Sequence, residues 1–483
     1  MSGLSDKQVL ILGLGETGLA CARWCAGVGA RVRVADTRES PPALAALRRR
    51  VASANFCVGP FDDDFDATLL DGVDLLIVSP GLPGDLAILR AAAARGIEIV
   101  GEIELFARAL RGLPNATPVL AITGTNGKTT TTALTGHLLR AAGLRVGVAG
   151  NISPAALSAL ADAVEQQALP DVWVLELSSF QLETVTTLNP AAAAVLNISD
   201  DHLDRYADLA AYAAAKARIF RGDGVQVLNR QDAHVMAMVL PGRRVISFGL
   251  DAPPNADDFG LRLHDGVLWL VQGERLLLPQ AELPVSGLHN AANALAALAL
   301  CVALGHDPVA LLPALRAFRG LPHRVEKVAE IDGVIWYDDS KGTNVGATVA
   351  ALNGLGGGFG GELYIGQRED SPRIVLIAGG DGKGQDFSPL HAAVARHARA
   401  VVLLGRDAPL IRAAIATAAA AADVPLVEAS DMADAVRQAR ALARPGDAVL
   451  LSPACASFDM FRDYQQRAEV FVAAVRALPE TTS

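Results

Sequence analysis

Cysteine is scarce, with five residues (Cys21, Cys25, Cys57, Cys301, Cys455) in a chain of 483. No C-x-x-C pair and no His-Cys cluster occurs, which argues against a zinc site and against a disulfide framework. Cys21 and Cys25 share one face of an expected helix, where thiols ordinarily just pack. Positive charge is in deficit too: 42 Lys and Arg stand against 52 Asp and Glu, a net charge of −10. No basic stripe gathers to neutralise a phosphate backbone, so nucleic acid is excluded as the main partner. Acidic ligands must instead be met by local lysines and arginines. A bilayer-spanning segment is also missing, because the alanine-rich run 291–304 is too short, and the N-terminus has no basic, apolar, cleavable pattern. The expectation is a cytoplasmic protein with no membrane insertion. What remains is 51% hydrophobic and 19% charged, enough for a large core, and the length suggests about three domains.

The chain is organised around Val119-Leu120-Ala121-Ile122-Thr123-Gly124-Thr125-Asn126-Gly127-Lys128-Thr129-Thr130. An apolar run ends in a glycine turn, and a Lys-Thr pair then opens a segment with helical spacing. Strand, glycine loop and helix together make a phosphate-binding loop credible. Glycines let backbone N–H groups converge on phosphate oxygens, and the helix N-terminus adds partial positive charge. Lys128 then reaches the β- and γ-phosphates while the Thr129 hydroxyl ligates Mg²⁺. The full G-x-x-x-x-G-K-[ST] pattern asks for glycine where this chain has Ile122, and the bland alternative is an ordinary turn carrying a surface lysine.

Upstream, Gln8–Leu12 reads as a buried strand followed by Gly13-Leu14-Gly15-Glu16-Thr17-Gly18, then a helix and a second strand ending at Asp36-Thr37-Arg38. This is a G-x-G-x-x-G turn with an acidic residue about 20 positions on, so a dinucleotide is a fair rival ligand for the first domain. A further strand over 73–78 ends in Ser79-Pro80-Gly81. Turns at the carboxyl ends of parallel strands should converge on a ligand. Glu16 inside the first turn is unhelpful to an anion.

Downstream of the phosphate loop, Val172-Trp173-Val174-Leu175-Glu176-Leu177 is apolar on both faces, as a central parallel strand is, and Glu176 sits at its end. A strand-end carboxylate can simply pair with a lysine, yet beside a phosphate loop it suits Mg²⁺. His202, after the strand 192–198, is either a capping or core histidine or a second metal ligand. Lys216 lies on an otherwise apolar face of an expected helix over 208–220. On sequence grounds the favoured account is snorkelling, with the stem buried and the ammonium wet. A truly buried amine would instead be neutral and nucleophilic, able to capture CO₂ as a carbamate.

Several stretches resemble the Mur ligases: Gly124-Thr125-Asn126-Gly127-Lys128-Thr129, Leu175-Glu176-Leu177-Ser178-Ser179-Phe180-Gln181, Asp201-His202-Leu203-Asp204-Arg205-Tyr206, Leu288-His289-Asn290, Leu321-Pro322-His323-Arg324, Asp339-Ser340-Lys341-Gly342-Thr343-Asn344, Gly379-Gly380-Asp381-Gly382-Lys383 and Leu451-Ser452-Pro453-Ala454-Cys455-Ala456-Ser457. The resemblance runs nearly end to end and narrows to the D-glutamate-adding branch. It implies an α/β protein of three domains. A Rossmann-like N-terminal domain (1–110) would bind UDP-N-acetylmuramoyl-L-alanine, a central P-loop ATPase-type domain (111–321) would bind ATP, and a Rossmann-like C-terminal domain (322–483) would bind D-glutamate.

It also implies roles for individual residues. Gly124, Thr125, Asn126, Gly127, Lys128, Thr129, Thr130, Asn290, Arg324 and Asp339 match ATP contacts. Thr129, Glu176, His202 and a carbamylated Lys216 match the shell of Mg²⁺, expected as two ions, with Lys128 alongside as part of the catalytic group. Gly15, Thr17, Asp36, Thr37, Arg38, Ser79, Pro80, Gly81 and Asn151 match precursor contacts. Thr343, Lys383, Ser457 and Tyr464 fall at the D-glutamate pocket, Tyr464 standing where a phenylalanine is expected. The enzyme would act as a monomer through an acyl phosphate.

Three rivals explain less. Folylpolyglutamate synthase shares the phosphate loop but takes a folate acceptor, and the first-domain glycine turns count against it. A regulatory ATP switch has no use for Lys383 and Ser457, and an NAD-dependent dehydrogenase accounts only for the first domain. The third domain should alternate strands at 334–338, 373–378, 400–404, 425–427 and 448–451. The glycine-dense insert 354–370 is expected to be a flexible surface loop without a role.

Overall fold

The computed structural model describes residues 3–114, 117–201, 205–285, 287–356 and 372–479. Three sheets follow one another along the chain. The first is built from β1 (Gln8–Leu12), β2 (Arg31–Asp36), β3 (Asn55–Val58), β4 (Leu75–Val78) and β5 (Glu98–Val100), all parallel in the order β3-β2-β1-β4-β5. Chain order reverses between β1 and β4, so the glycine turn after Leu12 and Ser79-Pro80-Gly81 after Val78 leave neighbouring strands at one edge. That is where a doubly wound sheet takes its ligand.

The second sheet comprises β6 (Val119–Thr123), β7 (Val146–Gly150), β8 (Val172–Glu176), β9 (Ala192–Val195), β10 (Val225–Asn229), β11 (Val245–Phe248), β12 (Phe259–His264), β13 (Val267–Gln272) and β14 (Arg275–Pro279). Its order is β14-β13-β12-β11-β10-β9-β6-β8-β7, with antiparallel pairing confined to β12, β13 and β14. The third contains β15 (Glu326–Ile331), β16 (Val334–Asp338), β17 (Ile374–Ala378), β18 (Ala398–Leu403), β19 (Leu426–Glu428) and β20 (Ala448–Leu451). Its order is β15-β16-β20-β17-β18-β19, and β15 alone pairs antiparallel. The expected three-domain α/β architecture is therefore present. The strand ends expected at 73, 177, 198 and 373 shift by one to three residues, and the hairpins of β12 to β14 and strand β15 are additions. The helix Val345–Gly356 runs through the first three residues of the glycine-dense insert, and the rest of that insert lies outside the described residues. Among the described residues no helix is long and apolar enough to cross a membrane.

Apolar burial joins the first two domains more tightly than the third. One buried cluster runs from Val9 and Ile11 through Phe106 to Trp173 and Leu175, and the Phe106 and Trp173 rings meet edge-on at 5.4 Å. The third sheet packs into clusters of its own. Polar groups complete the first seam. Glu104, buried on the helix Glu102–Arg111, accepts the Thr186 and Thr187 N–H groups and the Thr187 hydroxyl, each at 2.8 Å. Burial alone would raise its pKa, but these donors and Arg108 hold it down to about 2. Because that lies below the ordinary 4.5, its contribution is complete above the ordinary value and is lost as pH falls toward 2. Glu104→Ala is expected to cost about 2 kcal/mol through stranded donors, with Glu104→Gln losing less. Calorimetry checks this, and an unchanged Tm in the alanine variant would remove Glu104 from the seam.

Candidate active site between the second and third domains

The phosphate loop forms because β6 delivers its last residue, Thr123, into a turn that only glycines fit. Gly124 (φ +149°) and Gly127 (φ +81°) hold conformations that other residues rarely adopt. A Cβ on Gly127 would lie 2.3 Å from Asn293 Oδ1. Ile122, where the full pattern asks for glycine, is wholly buried inside β6, so the tight turn begins two residues later. Neighbouring strand ends fix the loop. Asn197 accepts from Asn126 N–H at 2.8 Å and donates to its carbonyl at 3.1 Å. Ser199 N–H donates to the Thr125 hydroxyl at 3.0 Å. Thr130, in the first turn of the helix Lys128–Ala141, is buried.

Two lysines converge on one carbonyl. Lys128 Nζ donates to Gly124 O at 2.9 Å and to Thr125 O at 2.7 Å. Lys216 Nζ, from the helix Leu209–Ala217, donates to the same Gly124 O at 2.9 Å and lies 4.5 Å from the centre of the Tyr212 ring. Lys216 is 1% exposed, which overturns the snorkelling account: its amine lies inside the packed chain rather than at the surface. Burial, and then the neighbouring Lys128 charge, push its pKa well below that of a free lysine. Lys128 is lowered as well, chiefly by burial.

Glu176 ends β8 in register with Ile122 of β6 and Gly150 of β7. Its Oε1 accepts from Asn151 Nδ2 at 2.8 Å. Its Oε2 is buried without a hydrogen-bond partner among the described residues, a costly condition that a cation would relieve. Asn151, expected at the precursor, thus touches the candidate metal ligand directly. His202 lies outside the described residues.

The third domain closes the site from above. Arg324 donates from Nη2 to the Thr129 hydroxyl at 2.7 Å, and Asn344 donates to Asn126 Oδ1 at 3.2 Å. A cavity of about 140 Å³ lies between the domains, lined among others by Asn126, Asn290, Arg324, Asp339 and Lys341. Asp339 is buried, which raises its carboxyl to about 7 even though it accepts from Ser452 Oγ at 2.7 Å. Asn293 and Lys341 also line this cavity, and neither is singled out by sequence reasoning. Asn293 could have been found, since it repeats Asn290 one helical turn on in an otherwise apolar helix, where a buried amide needs a reason. Lys341 stands in a quoted motif. Its ammonium lies 3.9 Å from the centre of the Tyr464 ring, and burial lowers it to about 8. Tyr464 also accepts from Ser340 Oγ through its carbonyl at 2.8 Å, so both ring and backbone make contacts here.

Ser457 is buried beside the third-sheet edge, whereas Lys383 is exposed in the turn after β17. Thr343 follows Lys341 and Gly342 in the turn after β16, its N–H bonded to Lys341 O at 2.8 Å. Buried Arg467, missed by sequence reasoning, donates to Ser340 O at 2.8 Å and Cys455 O at 3.1 Å, bracing both turns. A buried arginine on an amphipathic helix leaves no sequence signal that separates it from a surface one.

In the first domain, a Cβ on Gly13 would meet Ser79 Oγ at 2.8 Å and one on Gly18 would meet Gly13 O at 2.0 Å. Gly15 and Thr17 open the first helix beside this turn. Asp36 does not stand free as a ribose acceptor. Its carboxylate already takes Leu14 N–H at 2.7 Å, Arg38 N–H at 2.9 Å and the Arg38 guanidinium at 2.8 Å. That removes the acceptor on which the dinucleotide rival depends, while Thr37 and Arg38 remain exposed. Glu16 points away from the turn, accepting from Ser153 Oγ at 2.9 Å and Ala155 N–H at 3.1 Å. A second cavity of about 400 Å³ joins Ser79 and Pro80 to Phe180, Gln181 and Arg205 of the middle domain.

Comparison with known proteins covers the same three parts. Residues 7–101 match the model of the Mur ligase MurD-like N-terminal domain, 122–301 the Mur ligase middle domain and 323–455 the Mur ligase glutamate ligase domain. The UDP-N-acetylmuramoylalanine–D-glutamate ligase of Aromatoleum aromaticum is 59% identical, the alignment covering 99% of each chain. That of Thiobacillus denitrificans is 56% identical over 98% of this chain and 97% of its own. Among solved structures, the UDP-N-acetylmuramate-alanine ligase MurC of Thermotoga maritima shares the fold with a TM-score of 0.57 at 19% identity, over 97% of this chain and 99% of that one. With relatives this similar along its whole length, the chain belongs to the Mur ligase family.

Proposed function

We propose that this chain is an ATP-dependent ligase joining the L-alanine carboxyl of UDP-N-acetylmuramoyl-L-alanine to the amine of D-glutamate, in peptidoglycan precursor synthesis. The observation that carries it is the convergence of the phosphate loop, Glu176, Lys216 and Arg324 at one sheet edge, in a chain so similar to D-glutamate ligases. A carboxylate in water does not react with an amine, so it must first be activated. An alanine carboxylate oxygen attacks the γ-phosphorus, ADP leaves, and an acyl phosphate results. The D-glutamate amine, after giving up its ammonium proton to water, then attacks the carbonyl carbon; the tetrahedral adduct loses a second proton from nitrogen, and inorganic phosphate leaves as the C–O bond breaks.

The residues divide this work by charge. Lys128 and Arg324 offset the repulsion between the incoming carboxylate and the triphosphate. Asn290 and Asn293, which line the cavity between the domains, would contact ATP, and Asp339 its ribose. Gly15, Thr17, Asp36, Thr37, Arg38, Ser79, Pro80, Gly81 and Asn151 hold the precursor, and Thr343, Lys383, Ser457 and Tyr464 hold D-glutamate. The unpartnered buried Glu176 Oε2 fits a divalent cation, and Thr129, His202 and a carbamate on Lys216 would complete its shell. Mg²⁺ bound there supplies neutralisation of phosphate charge. Burial and the Lys128 charge favour the neutral Lys216 amine, the form that can add CO₂ and shed a proton to become an anionic carbamate beside Lys128. The reaction is proposed to run in a cytoplasmic monomer.

Hydroxylamine tests the activation step. With ATP, Mg²⁺ and precursor but no D-glutamate, it should yield a hydroxamate of the alanine carboxyl, detected by mass spectrometry. No hydroxamate from a preparation with intact ligase activity would count against an accessible acyl phosphate.

A further inference from the structure

Asp407 sits at the start of the helix Ala408–Ala421 yet makes no side-chain cap to it. Aspartate in that position ordinarily accepts from the first helical N–H groups. Here its Oδ2 reaches across instead to the Gly382 N–H at 2.7 Å, and its own N–H donates to Gly380 O at 3.0 Å. Both contacts grip the Gly379-Gly380-Asp381-Gly382-Lys383 turn. That turn is wedged between two others: a Cβ on Gly379 would lie 1.8 Å from Leu404 O, and one on Gly380 would lie 2.3 Å from Ala456 O. Asp381 exchanges backbone hydrogen bonds with Ala456, the neighbour of Ser457, at 3.0 and 2.8 Å. Lys383, a non-glycine residue, is held at φ +50°, a backbone state that costs free energy and persists only when its surroundings enforce it.

We infer that Asp407 is a positioning residue for D-glutamate, acting through Lys383: it fixes the turn that aims the lysine and keeps that turn beside Ser457. The inference rests on the glutamate pocket proposed above. Charge argues for it. A carboxylate near a pocket for a dianion repels the ligand, so a carboxylate retained there on electrostatic grounds alone would weaken binding. Arg406 pairs with the Asp407 carboxylate at 3.4 Å, and the hydrogen bond to Gly382 gives that carboxylate its role in holding the turn.

Two substitutions separate these effects because they predict opposite signs. Asp407→Asn removes the charge and keeps an acceptor for Gly382, so the KM for D-glutamate should stay within about twofold of the native value or fall. Asp407→Ser remains a good helix N-cap, but its shorter hydroxyl falls short of Gly382. The KM for D-glutamate should rise about tenfold, with the KM values for ATP and precursor within about twofold. In a Lys383→Ala background, Asp407→Ser should add less than about twofold, because groups acting through one another are not additive. A lowered glutamate KM in both single variants would leave only electrostatic repulsion and overturn the inference, as would equal weakening of all three substrates. If Lys383→Ala raises the glutamate KM and Asp407→Ser does not, this inference fails alone. If Lys383→Ala also leaves that KM unchanged, the pocket assignment fails with it.

Discussion

Lys216→Ala should abolish nearly all ligase activity, by about a thousandfold or more, and a small carboxylate such as acetate should restore part of it. The expectation follows from where the amine lies. At 1% exposure, 2.9 Å from Gly124 O and beside the Lys128 ammonium, a second cation is unfavourable, and the neutral form is the one that adds CO₂. Removing the side chain takes away the proposed anion beside Lys128, and an added carboxylate that reached this space would supply its charge again. Lys216→Arg should be equally inactive and resist rescue, since a guanidinium keeps its positive charge and fills the space. Isotope-labelled bicarbonate should give a carbamate carbon signal in the native protein that is lost in both variants. Near-normal activity of Lys216→Ala would end the carbamate assignment.

Lys383→Ala should raise the KM for D-glutamate about 10- to 150-fold, the range for losing a charge-assisted hydrogen bond, and leave ATP and precursor binding almost unchanged. A dianionic amino acid approaching a chain of net charge −10 needs a fixed local cation. Lys383 is exposed in the turn after β17, while Lys341 is already engaged over the Tyr464 ring. Steady-state kinetics with each substrate varied in turn reads the effect. Equal weakening of all three would point to domain closure, and an unchanged glutamate KM would remove Lys383 from the pocket.

Strands that end in glycine turns were the most legible part of the chain. Apolar runs such as 119–123 and 172–176 are buried on both faces, so composition alone marks them. What escaped were the hairpin strands β12 to β15, which are only partly buried, each carrying exposed residues at one end or more. Their turns nevertheless carried a signal: Asp265-Gly266 joins β12 to β13 and Asp332-Gly333 joins β15 to β16, every one of these residues at positive φ, the state that two-residue hairpin turns favour.

By itself the sequence determined the three α/β units, the phosphate loop and the acid at the end of β8, because each depends on local chemistry: glycine tolerance, strand hydrophobicity and residue order. Tertiary structure alone decided how those groups act on one another. Whether Lys216 is wet or dry depends on what packs over its helix, and the surrounding elements buried it. Asp36 is held by Leu14 N–H and Arg38, and Asp407 reaches Gly382 across 25 residues. Burial and hydrogen-bond partnership are properties of the packed chain, set by segments far apart in sequence, and no single stretch encodes them.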